Sequence, residues 1–91
     1  MDKRLLTDEL YQYLLRLRKI LQQRGASALA EKVQFASDFA LGSTSEYYTE
    51  AEGALKSVLV EHKGILHEQE LCALREMLTK IDAAFKRIGG A

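Results

Sequence analysis

Apolar residues recur along the chain at spacings of three and four, the signature of helices that each turn one face to a common core. In the first stretch Leu6, Leu10, Tyr13, Leu17 and Ile20 form a seam that Leu14 and Leu21 widen, and the pattern predicts a helix over 3–24. Gly25 follows, a residue that takes the left-handed conformation in which many helices end. A second helix is predicted over 28–41, with Ser27 as N-cap and Leu29, Val33, Ala36 and Ala40 on one face. Phe39 and Phe35 flank that face, and Gly42 closes the helix. Ser43-Thr44-Ser45-Glu46 reads as a capping box, in which a hydroxyl and a carboxylate satisfy helix-start N–H groups reciprocally. It opens a third helix over 44–63 that turns Tyr47, Ala51, Ala54, Leu55, Val58 and His62 inward and stops at Gly64. The fourth helix, over 68–88, starts from His67 as N-cap with Glu70 as its reciprocal partner and Leu66 and Leu71 in staple positions. Its seam is Leu71, Leu74, Leu78, Ile81, Phe85 and Ile88, ended by Gly89-Gly90.

Short turns between amphipathic helices favour antiparallel neighbours crossing at about 20°. The expected fold is therefore all-α, an up-and-down antiparallel four-helix bundle forming a single helical domain over 1–91, with two packed helical hairpins as the alternative. A tetratricopeptide array would need a repeat near 34 residues, and the chain shows none. Leu10, Leu17, Val33, Val58, Leu74, Leu78, Ile81 and Phe85 are expected in the core.

With 47% hydrophobic and 29% charged residues, the 91-residue chain has the composition of a small globular domain with one core. Thirteen basic residues balance thirteen acidic ones, which removes the bulk electrostatic pull toward nucleic acid or anionic lipid. Cys72 is the sole cysteine, so no intrachain disulfide can form. Acidic residues close to Met1 interrupt what a signal peptide would need as an apolar run, and no stretch approaches the roughly 20 apolar residues of a membrane span. A cytoplasmic location, away from membranes, is the expectation.

Candidate chemistry is sparse. His62 and His67, with Cys72 close by, invite a metal or thiol site, yet helical ligand pairs sit three or four residues apart, and these histidines straddle Gly64. One packing histidine, one capping histidine and one small, partly buried thiol account for all three, so no metal, cofactor or catalytic residue is expected. A small metal- or thiol-dependent enzyme is the remote alternative. Arg16, Arg18, Lys19 and Arg24 make the C-terminal half of the first helix basic and raise the alternative of a nucleic-acid-binding regulator. At about 100° per residue these four scatter around the helix, where no single groove could meet them all.

Two outer faces are more coherent. Tyr11, Leu15 and Arg18 follow one another at i, i+4 and i+7 on the first helix, a second stripe suited to self-association into a homodimer. On the third helix Glu46, Glu50, Gly53 and Glu61 share an outward line with Val60 beside it, and glycine in a helix interior costs about 1 kcal/mol against alanine. The function expected is non-enzymatic protein–protein binding, with the three carboxylates steering a partner of basic surface and Tyr47, Tyr48 or Val60 supplying the grip. In overall look the chain is similar in type to small bacterial adaptors and to immunity proteins that neutralise toxins. That is a likeness of size and helicity, without a shared motif.

Overall fold

The computed structural model describes residues 3–88 and forms four α-helices: α1 (Lys3–Gln23), α2 (Ser27–Ser37), α3 (Thr44–Val60) and α4 (Glu68–Ile88). A 3-10 turn, Asp38–Leu41, joins α2 to α3, and no strand occurs among the described residues. Gly89 and Gly90, expected to stop the last helix, lie outside the described residues, as do the side chains of Leu6 and Ile88. Each helix packs against its neighbour in sequence. Glu9 reaches Lys80 at 2.6 Å and Arg24 reaches Glu70, so α1 also runs antiparallel to α4 and the ring of helices closes. A helix of 21 residues is about 31 Å long at 1.5 Å per residue, which accounts for most of the 38 Å long axis.

One cluster of buried side chains holds the four helices together, and it includes Leu10, Leu14, Leu17 and Leu21 of α1, Leu29 and Val33 of α2, Leu55 and Val58 of α3, and Leu74 and Ile81 of α4. Its details correct the phase of two seams. On α1 the centre of the buried face runs through Leu10, Leu14, Leu17 and Leu21, while Tyr13 and Ile20 are only half-buried at its edge. On α4 Met77 is buried, whereas Leu78 and Phe85 are half-buried. Both helices have neighbours on two sides, and the position of those neighbours decides which part of a wide apolar stripe is innermost.

The turns follow local chemistry. Gly25, at φ +80°, lets Ala26 N–H bond to the Leu21 carbonyl at 2.8 Å and Gly25 N–H to that of Gln22 at 3.2 Å, the paired bonds of a Schellman end. Gly64 takes φ +79° in the turn between α3 and α4. The second helix is shorter than its sequence pattern suggests. It starts at Ser27 itself with Ala26 as an N-cap lacking a side-chain bond, and it tightens at Ser37, whose hydroxyl donates to the Gln34 carbonyl at 2.7 Å. Ser43 precedes α3 in an extended conformation, but its side chain makes no capping bond, so the expected capping box is not closed. The third helix ends at Val60 rather than 63, and His62 Nδ1 donates back to the Leu59 carbonyl at 2.7 Å.

At the start of α4 the reciprocal half of a capping box does form: His67 N–H donates to Glu70 at 2.8 Å. The same carboxylate takes two bonds from Arg24, whose guanidinium also donates to the Ile65 carbonyl at 2.6 Å. This clamp ties the end of α1 to the loop and to the first turn of α4. The Arg24 bond, reinforced by the His67 N–H, pulls the Glu70 carboxyl from its ordinary 4.5 down to about 2. A carboxyl depressed in the folded state contributes stability that is complete above pH 4.5 and lost as pH falls toward 2. Glu70→Gln should therefore melt at a lower temperature than wild type at pH 7, and the gap should close between pH 4.5 and 2. A gap that stays constant across that range in circular-dichroism melts would remove the clamp's role.

Candidate functional site

Of the outward line read on the third helix, the part up to Gly53 lies within α3, which ends at Val60. Glu46 and Gly53 are exposed, Glu50 is half-buried, and Glu61 sits just beyond the last helical residue. From Glu46 to Glu61 the line spans about 22 Å at 1.5 Å per residue. Val60 stands beside it, 82% exposed.

Tyr47 and Tyr48 do not emerge next to these acids, and of the two expectations for Tyr47 it is the inward one that holds. Tyr47 and Tyr48 are each 1% exposed, with ring centroids 5.7 Å apart, and Tyr48 meets Phe85 of α4 edge-on at 6.2 Å. A step of one or two residues from Glu46 rotates a side chain by about 100° or 200°, away from the acidic line and into the space between α3 and its neighbours. Burial pushes the Tyr47 phenol well above its ordinary range, with smaller contributions from Tyr48, Tyr11 and Asp8. The N-terminal turn of α3 is thus plugged by aromatic rings, and the surface grip has to come from elsewhere.

That other apolar group is Phe35, flanking the second helix's face in the sequence pattern and 57% exposed in the structure. Its ring lies edge-on to Phe39 at 5.2 Å, which holds it in place without covering it. Phe35 stands at one end of an open groove of about 580 Å³ between α2 and α3. Ala28, Glu31 and Lys32 continue the α2 wall, while Glu50, Gly53, Ala54 and Ser57 make the α3 wall. A Cβ built on Gly53 would meet nothing within 4 Å, so the missing side chain leaves open space rather than accommodating a neighbour within the chain. Ser57 turns its hydroxyl back to the Gly53 carbonyl at 3.1 Å, which lowers the polarity of that wall. The sequence singled out Gly53 and Glu50 but not the groove, because the pairing of α2 with α3 cannot be read from either helix alone.

Ion pairing divides the carboxylates. On α1 and α4, Glu9, Glu70 and Asp82 are matched by Lys80, Arg24 and Lys86, and on the far flank of α3 Glu52 pairs with Lys56 at 3.8 Å. Among the described residues Glu31, Glu46, Glu50 and Glu61 have no ion-pair partner, and elsewhere Asp8, Asp38 and Glu68 have none either.

Tyr11 is 37% exposed, Leu15 and Arg18 are half-buried, and Arg18 Nε is buried without a hydrogen-bond partner among the described residues. Of the basic residues read on the first helix, Arg16 and Lys19 face solvent, while Arg24 falls just past the end of α1 and is engaged by Glu70. Cys72 is exposed, which corrects its expected partial burial. Among the described residues no three His, Cys, Asp or Glu side chains group as a metal site would need, and no helix is long and apolar enough to cross a membrane. No family model matches the chain, and neither a curated protein nor a solved structure does.

Proposed function

We propose that this is a non-enzymatic binding protein whose partner is another protein with a basic surface, drawn onto α3 by Glu46, Glu50 and Glu61. The observation that carries the reading is that Glu46, Glu50 and Glu61, three carboxylates without cationic partners, follow one another along a single face of α3 and its C-cap. Unpaired exposed charge contributes little to folding, whereas complementary charge across an interface raises association rates and excludes like-charged competitors. Val60 and Phe35, exposed beside the acids, supply the apolar contact that charge alone does not. Neutralising a basic toxin is one job of this kind, and bridging two proteins as an adaptor is another.

The test is affinity capture from the native host with wild type and with Glu46, Glu50 and Glu61 all changed to lysine. The expected result is loss of a protein partner, with association to the wild type slowing as salt is added. The rival reading, nucleic-acid binding through α1, has the opposite sign: it predicts that the added lysines strengthen retention of nucleic acid. A triple variant that keeps every wild-type partner would reduce the acidic line to a solvated helix face.

A further inference from the structure

Resting on that reading, we infer that the groove between α2 and α3 seats a basic amphipathic helix of the partner. The walls run from Ala28 to Phe35 on α2 and from Glu50 to Ser57 on α3, each about 10 Å long at 1.5 Å per residue. Two helical turns fit that length, and an incoming helix presents anchors at i, i+3 or i+4, and i+7 over such a distance. The absent side chain of Gly53 lets a helix ridge approach the α3 wall, where nothing lies within 4 Å of a Cβ position. Phe35 offers an apolar end wall, already oriented by Phe39.

Charge selects the occupant. Glu31 and Glu50 stand on opposite walls, Glu46 and Glu61 extend the acidic line beyond the groove, and Lys32 is the cation among the lining residues. A second copy of this chain would bring those carboxylates against themselves. A helix with lysine or arginine flanking an apolar ridge meets a carboxylate on each wall, and although Lys32 balances Glu31 on the α2 wall, Glu50 with Glu46 and Glu61 keeps the α3 side acidic. An extended peptide would lack partners for its backbone, since two packed helices present no free ladder of N–H and C=O groups.

The probe is a synthetic helix of about 14 residues, roughly four turns, with leucines at i, i+4 and i+7 between lysine flanks. Its twin carries glutamate in place of every lysine. Titrated into ¹⁵N-labelled protein, the lysine helix should move the amide signals of Ala28, Phe35, Gly53, Ala54 and Ser57, and the glutamate twin should not. Gly53→Leu, which fills the groove where there is open space, and Phe35→Ser should each weaken binding roughly tenfold or more, with unchanged helical circular dichroism. Equal binding of both helices, shifts centred on another face, or indifference to Gly53→Leu would overturn the assignment. The same amides shifting with protein concentration alone would assign the groove to a second copy instead. Capture from the host with Glu46→Lys/Glu61→Lys, which leaves the groove lining intact, separates the two readings. A partner lost with this pair but kept by Gly53→Leu leaves the acidic line standing and overturns the groove, and the converse overturns the acidic line alone.

Discussion

Truncating Leu74 to alanine should destabilise the protein by about 2–5 kcal/mol, the range for a leucine removed from a packed core. Leu74 is fully buried on the face of α4 that it shares with Met77 and Ile81. Small domains are stable by only about 5–15 kcal/mol, so the loss would be a large fraction of the total. Leu78→Ala supplies the contrast. That side chain belongs to the same sequence seam, but it is half-buried at the edge of the cluster, and its truncation removes fewer contacts and leaves a site open to solvent rather than a closed cavity. Urea unfolding of the two variants should therefore give a clearly smaller loss for Leu78→Ala. Equal losses would mean that α4 is rotated relative to the arrangement described here.

That contrast also marks how far the sequence could be read. Periodicity locates a helix and its inward direction, and for α2 it placed Leu29, Val33 and Ala36 in the core, where they are. It does not resolve the last tens of degrees of rotation, because a stripe as wide as that of α1 leaves Leu14 and Tyr13 equally eligible until α2 and α4 are in position. Gly25 and Gly64 were legible because a left-handed turn after a helix has few other solutions. Ser27 and Ser43 were not, since the residue type permits a cap without requiring one, and neither side chain makes the bond. The Arg24–Glu70 clamp joins residues 46 apart, beyond any local pattern. Of the candidate site, the α3 line came from one helix and was readable, while Phe35 and the groove belong to the pairing of two.

Tyr47 gives the sharpest separation between a core role and a binding role. Tyr47→Ala should cost about 3–5 kcal/mol, the usual loss when a large aromatic side chain leaves a core, whereas Tyr47→Phe should be neutral or stabilising. The phenol oxygen is buried and has no hydrogen-bond partner among the described residues, and leaving such a group unsatisfied costs about 1–3 kcal/mol that phenylalanine avoids. A tyrosine whose ionisation is pushed upward by burial contributes stability that is complete below its ordinary 10.0 and lost above it, when the unfolded chain ionises first. Wild type should lose stability at alkaline pH more steeply than Tyr47→Phe, although Tyr13, pushed up to about 12 chiefly by burial, leaves both with some loss. Partner capture should survive Tyr47→Phe and fall in Tyr47→Ala only as far as the folded fraction falls. A Tyr47→Phe variant that folds normally but releases the partner would place the tyrosine hydroxyl in the binding surface and contradict its burial.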